Sequence, residues 1–313
     1  MKIILAGGSG QVGTLLARAF HRDRHEVVVF SRKPARVPWR SVSWDGHSFG
    51  PWTDELEGAD VVINLAGRSV NCRYYAQNRR EIMESRIAST QILGQAIARA
   101  KHPPRLWFQT STATIYAHRF DAPNDETTGI LGGNEPGVPE TWRFSIEVAK
   151  AWEQAAHTVS GTRLVLLRSA IVMSPDRGGA FDILSKLVRW GLGGRNGTGR
   201  QYVSWIHEID FIRAVYWIIE HDSLKGPVNL SAPNPLPNAD FMRELRRAWE
   251  QPFGLPATEW MLEIGAFFLR TETELILKSR RVTPRRLLEH GFTFQFPAWP
   301  EAARDLRTRW RKS

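Results

Sequence analysis

A single cysteine, Cys72, occurs in the 313 residues. That excludes an internal disulfide and any cysteine-based metal cluster, and such a chain fits a reducing compartment. We read it as cytoplasmic, with no metal expected. Long apolar runs are also missing. The longest candidate, around Ala214 to Ile219, falls far short of the about 18 residues that span a bilayer, which argues against membrane insertion. At the start, MKIILAGGSG, a short apolar stretch runs straight into glycines. It is too brief for a secretory signal, so the first residues belong to the fold. Internal repeats and low-complexity tracts are absent.

What is present is an ordinary globular composition, 42% hydrophobic and 24% charged, which excludes disordered and fibrous classes. At about 150 residues per domain, the length suits one large domain or one with a smaller partner. The net charge is +10, and its excess gathers late, at Lys278, Arg280, Arg281, Arg285 and Arg286, then from Arg304 to Lys312. Nucleic acid is the partner such charge suggests. Glu272, Glu274, Glu289, Glu301 and Asp305 interleave with the cations, however, and no nucleic-acid motif accompanies them, so solvated helix faces are favoured.

Apolar, β-branched runs at Lys2 to Ala6, Glu26 to Phe30, Asp60 to Ala66, Arg105 to Gln109 and Arg163 to Leu167 read as strands buried on both faces. Between them, Val12, Leu15, Leu16, Ala19 and Phe20 share one helical face, Met83, Ile87, Thr90, Gly94 and Ile97 recur at helical spacing, and Phe144 to His157 contains no Pro or Gly. Strands alternating with helices predict an α/β fold, a Rossmann-type doubly wound parallel sheet whose ligands bind beyond the carboxyl ends of the strands. We place a large domain at 1–232, with substrate-side loops around 174–207. The Pro-rich SAPNPLPN, Ser231 to Asn238, reads as a linker to a small, mainly helical unit at 233–313 that forms a wall over the site and is closed by short elements such as Phe292 to Phe296.

The first βα turn carries the chemistry. AGGSGQVG spaces Gly7, Gly10 and Gly13 as GxxGxxG directly after a strand and at the opening of a helix. Glycine allows the tight turn and close backbone approach to a pyrophosphate, whose charge then meets the N–H groups of Gln11, Val12 and Gly13 at the positive end of the helix. An NAD-binding chain normally ends its second strand in a carboxylate for the ribose 2′-hydroxyl, whereas an arginine accommodates a 2′-phosphate. Here the strand runs out in Ser31, Arg32 and Lys33, so NADP is the expected cofactor.

GGSGQVG, INLAGR at 63–68, ESRIAST at 84–90, GRQYVSWIHEID at 199–210, GPVNLSAPNP at 226–235 and RVTPRRLLEHGF at 281–292 together resemble, from end to end, the atypical extended short-chain dehydrogenases of the "epimerase family", with their C-terminal domain of unknown function. The resemblance implies that Ser31 and Arg32 contact the 2′-phosphate and that Leu65, Ala66 and Gly67 lie along the adenosine. It also implies that Glu81 and Arg86 approach the cofactor, and that Met173 lies near the nicotinamide.

Short-chain dehydrogenases position a carbonyl with Ser or Thr and use a Tyr-x-x-x-Lys pair as tuned acid and base. Thr112, at the end of a central strand in STATIY, resembles the hydroxyl residue. The pair itself is missing. Lys150 has Ile146 four residues before it, and anchoring instead on Glu153 puts Ser145 and Ala149 at the two positions. Tyr116 is then the expected acid, with Glu147 a weaker choice. On the substrate side, His207 could bind an oxygen or shuttle a proton, although structural hydrogen bonding is commoner, and Asp210 reads as a helix cap. Arg195 and Arg200, in the glycine-rich GGRNGTGRQ, suit an anionic substrate. Trp142, Trp152 and Trp205 could line a pocket but more often fill cores.

These readings lead to an NADP-dependent oxidoreductase or epimerase acting on a secondary alcohol or ketone as its small-molecule partner, sugar nucleotides included. The competing reading is a catalytically weak NADP(H)-binding sensor or scaffold that acts through protein partners. Homo-oligomerisation is left open.

Overall fold

In a computed structural model that describes residues 1–156, 161–263 and 272–312, seven strands form one sheet. They are β1 (Lys2–Ala6), β2 (Glu26–Ser31), β3 (Arg40–Ser43), β4 (Val61–Asn64), β5 (Leu106–Thr112), β6 (Arg163–Ser169) and β10 (Gly226–Leu230). The order is β10-β6-β5-β4-β1-β2-β3, and every neighbouring pair is parallel. The order reverses between β1 and β4, and at such a switch point loops diverge and leave a crevice.

Alternation along each strand sends side chains to two cores. Ile3, Leu5, Val27, Val29, Ile63 and Phe108 meet α1 (Gln11–Arg22) and α5 (Glu208–Glu220) through Leu16, Phe20, Phe211 and Ile218. Ile4, Ala6, Val28, Phe30, Val62 and Trp107 face α2 (Ala76–Arg99) through Ile92, Leu93 and Ile97, joined by Trp44 and Trp52. The helix expected over 144–157 is α3 (Glu140–Ala156); His157 lies outside the described residues.

A third core gathers β7 (Ile171–Met173), α4 (Ala180–Arg189), β9 (Trp205–His207), α6 (Asn238–Ala248) and the C-terminal helix Trp299–Trp310 around Met173, Phe181, Trp205, Phe241, Trp249, Trp299 and Trp310. Phe241 stacks on Trp299 with ring centroids 4.1 Å apart. Most of the tryptophans sit in these cores, as the composition suggested.

Three expectations differ from what the structure shows. The SAPNPLPN stretch is packed rather than loose: Ser231, Ala232 and Asn238 are buried, and β11 (Leu236–Pro237) pairs antiparallel with β8 (Tyr202–Val203). Asp210 does not cap α5. It is fully buried, and its carboxylate accepts from the backbone N–H groups of Gln295 (2.8 Å) and Phe296 (2.7 Å), fastening the C-terminal segment to the helix. The segment Phe292 to Phe296 forms neither strand nor helix; it inserts Phe292 and Phe294 edge-to-face into the first core.

The late cations are largely engaged within the chain. Arg285 pairs with Glu289 and Asp125, Arg307 with Glu250, and Arg309 with Glu208 and Asp305. Among the described residues no helix is long and apolar enough to cross a membrane. None of their His, Cys, Asp and Glu side chains form a group that could hold a metal ion.

Candidate functional site

The turn after β1 owes its shape to side chains that are absent. Gly7 has a φ of 73°, and a Cβ there would fall 2.6 Å from Ala66 Cα. At Gly13 a Cβ would fall 2.4 Å from the Gly8 carbonyl oxygen, so only glycine lets α1 lie this close to β1. Gly10 is different. It is exposed, and a Cβ there would meet no protein atom within 4 Å, since it would stand in the crevice itself. The helix start carries no side-chain cap and no acidic residue in its first turn. Its free N–H groups and positive end suit an anion, and the geometry fits a dinucleotide's pyrophosphate.

Three neighbouring cavities lie along the carboxyl ends of the strands. The first, about 610 Å³, is lined by Gly7, Gly10, Ser31, Arg32, Trp44, Asp45, Leu65, Ala66, Gly67, Arg68, Glu81 and Ser89. The second, about 270 Å³, shares Gly7, Gly10 and Leu65 with it and adds Gln11, Val12, Gly13, Thr110, Leu167 and Ser169. Ser169 also lines the third, about 400 Å³, together with Thr112, Arg86, Tyr74, Phe144, Ser145, Ala149, Trp152, Ile171, Glu274 and Arg280.

Two acidic groups of the first cavity are already engaged. Asp45 accepts the Ser48 hydroxyl and the N–H groups of His47 and Ser48, which hold its carboxyl at about 2. Glu81 pairs with Arg68 at 2.5 Å. Arg32 is exposed at the rim. Arg86 lines the third cavity, donating to the backbone carbonyls of Arg68 and Ile82 at 3.0 Å with its guanidinium 4.9 Å above the Trp152 ring. Burial lowers its pKa to about 10.

The remaining expected residues are placed elsewhere. Met173 is fully buried in the third core. Tyr116 does not face the third cavity; its buried hydroxyl donates to Asn229 Oδ1 at 2.9 Å and accepts from Arg168 at 3.0 Å, a bridging position between strands. His207 is fully buried at the N-terminus of α5. Its Nδ1 accepts from Ile209 N, its Nε2 lies 3.0 Å from Asp305, and its ring stacks on Phe296. Burial takes its pKa down to about 4 despite Asp305. The placement is that of a helix cap rather than a substrate ligand. Arg195 and Arg200 are exposed, away from all three cavities, the one bonded to the Thr198 carbonyl and the other lying over Phe120. Glu147 points out beside Lys150, on the far side of α3.

Ser145 and Ala149 both face the third cavity, opposite Thr112, so the register anchored on Glu153 is the one α3 adopts. Reasoning from sequence did not find the groups beside them. Ser145 Oγ donates to Glu274 Oε2, and the Tyr74 hydroxyl is 3.5 Å from the same Oγ. Glu274 is 1% exposed, and its other oxygen lies 3.2 Å from Arg280. Burial pushes Tyr74 up to about 12. The neighbouring Lys278 donates to the Thr114 carbonyl at 2.7 Å, and burial takes its pKa down to about 7. Glu274 and Arg280 come from a segment fastened across the site. Tyr202 N bonds Ser279 Oγ, Arg280 N bonds Tyr202 O, and Tyr74 N bonds Glu272.

A parallel sheet with a glycine turn at its switch point and a crevice along its strand ends defines a nucleotide-binding fold. The chain belongs to the NAD dependent epimerase/dehydratase family, whose model matches residues 3–231, and a domain of unknown function, DUF1731, matches residues 257–306. It is 31% identical over 313 residues to the bovine epimerase family protein SDR39U1, covering 98% of this chain and 99% of that one. The crystal structure of human SDR39U1 with NADPH superposes with a TM-score of 0.84 at 29% identity, over 98% of this chain and 99% of that one. A nucleoside-diphosphate sugar epimerase from Corynebacterium glutamicum gives a TM-score of 0.76 at 26% identity, over all of this chain and 61% of that one.

Proposed function

We propose that the protein is an NADP(H)-dependent oxidoreductase or epimerase of the short-chain type, acting on a secondary alcohol or ketone. The observation that carries this reading is the row of three cavities, successive ones sharing lining residues, from Arg32 past the glycine turn to Thr112. Gly7, Gly10, Gln11, Val12 and Gly13 would hold the pyrophosphate, Leu65, Ala66 and Gly67 the adenosine, and Ser31 and Arg32 the 2′-phosphate, with Glu81 and Arg86 framing the site. The NADPH bound to human SDR39U1 supports this choice of cofactor. When bound, NADP(H) supplies or accepts a hydride. Thr112 orients the substrate oxygen, and the apolar walls of the third cavity exclude water.

Arg32→Ala should weaken NADPH roughly 10- to 100-fold, the worth of a charge-assisted pair, while NADH affinity changes by no more than about twofold. Fluorescence titration with both nucleotides measures this; equal losses would reject the 2′-phosphate role. Thr112→Val should lower turnover about 100-fold or more with NADPH affinity unchanged, and unaltered turnover would remove Thr112 from the reaction. The absent Tyr-Lys pair favours the second reading, an NADP(H) sensor. That reading predicts tight NADPH binding with no turnover across a panel of sugars, nucleotide sugars and small carbonyls.

A further inference from the structure

Resting on the reading above, we propose that Ser145 and Glu274 handle the proton at this site, for a compact, largely apolar ketone or secondary alcohol. Ser145 is the catalytic residue that touches the substrate oxygen, and Glu274 is a positioning residue that acts through it. Ser145 projects from α3 into the third cavity at the position where the short-chain pattern has its tyrosine, facing Thr112. Its hydroxyl is already bonded to a carboxylate, Glu274, which reaches the cavity from the far end of the chain. A carboxylate 1% exposed beside a ligand cavity, with one oxygen on Arg280 and the other on a cavity hydroxyl, is arranged to exchange a proton. The two phenols are less suited. Tyr74 is pushed up to about 12 by burial, and Tyr116 is turned away between Asn229 and Arg168.

The substrate class follows from the walls. About 400 Å³ bounded by Val70, Ile82, Phe144, Val148, Trp152 and Ile171 favours a compact apolar body. Its cations are already engaged, Arg280 by Glu274 and Arg86 by two backbone carbonyls.

In the oxidation direction the substrate hydroxyl gives its proton to Ser145 Oγ while the Ser145 proton passes to Glu274. The electron pair of the carbinol C–H bond leaves as hydride, and the C=O bond forms. In reduction the flow reverses: the carbonyl carbon gains the hydride, its oxygen takes the Ser145 proton, and Ser145 is refilled from the Glu274 carboxyl.

The test uses the full-length protein with NADPH and a panel of alkyl and aryl ketones, phenanthrenequinone included. Wild type should oxidise NADPH with these ketones. Glu274→Gln should lower kcat about 100-fold with KM little changed, and Glu274→Asp should restore it. Ser145→Ala, at a half-buried position that tolerates the change, should lose kcat to the same extent, with NADPH affinity within about twofold in every variant. Arg280, Tyr74, Lys278, Glu272 and Arg86 are the other charged or titratable groups around the pair. Lys278→Met, which removes the group held at about 7, should leave the rate in place. A Glu274→Gln enzyme with the wild-type rate overturns the proposal, and so does wild type that binds NADPH yet reduces none of the ketones, although the cofactor assignment then stands. Wild type that binds no NADPH removes the functional reading itself.

Discussion

Gly13→Ala should cost the protein its nucleotide site and part of its stability together. The added methyl carbon would fall 2.4 Å from the Gly8 carbonyl oxygen and 2.5 Å from its Cα. Both are backbone atoms of the turn and cannot swing aside as a flexible side chain would. Relief therefore requires α1 to move away from β1, which carries the N–H groups of Gln11 and Val12 out of position. A displacement near 1 Å in a positioning element is worth about 100-fold, so NADPH affinity should fall at least that far. Overpacking should lower stability by about 1–3 kcal/mol. Gly10→Ala is the matched comparison. Its methyl meets no protein atom within 4 Å, so urea unfolding should be unchanged while NADPH binding weakens, because the methyl would stand in the proposed pyrophosphate site. Undiminished NADPH affinity in Gly13→Ala would refute the account, as would equal destabilisation in the two variants.

Arg168→Met should be the most destabilising single change outside the turn. Arg168, on β6, makes a bidentate pair with Glu153 of α3, both bonds 2.8 Å, and both residues are buried. Ser111 of β5 donates to the same carboxylate at 2.6 Å, and Arg168 reaches the Tyr116 hydroxyl, itself bonded to Asn229 of β10. Removing the cation strands a carboxylate in the interior, which costs about 3–5 kcal/mol. Replacing both partners, Glu153→Leu with Arg168→Met, should recover most of that loss, since an apolar pair of similar volume often matches a buried ion pair. Urea titrations of the two single variants and the double variant measure the coupling; additive losses would show that the pair is not the source.

The parts of the fold that were legible from sequence are those specified locally. β1, β2, β4, β5 and β6 are β-branched apolar runs, and the glycine turn is written in seven consecutive residues. β3 escaped because its RSVS is a polar edge strand. β7, β8, β9 and β11 escaped because pairings of two or three residues leave no period to read. SAPNPLPN misled for a physical reason: Pro and Asn usually mark solvated loops, but here Ala232 N bonds Trp205 O and Asn238 N bonds Gln201 O, so the backbone is satisfied by neighbours distant in sequence. The site divides in the same way. Its cofactor half is a local turn, whereas the wall opposite Thr112 joins Ser145 to Glu274 across 129 residues and Tyr74 to Glu272 across 198. No spacing rule connects residues so far apart.

The strap from Glu272 to Val282, fastened to Tyr74, Tyr202 and Asn124, also gives the two halves of the site different dependence on local opening. Release of the strap alone takes Glu274 from Ser145 and opens the third cavity on one side, while the glycine turn, held between β1 and α1, stays closed. The elements for gripping a nucleotide thus outlast those that enclose a reaction.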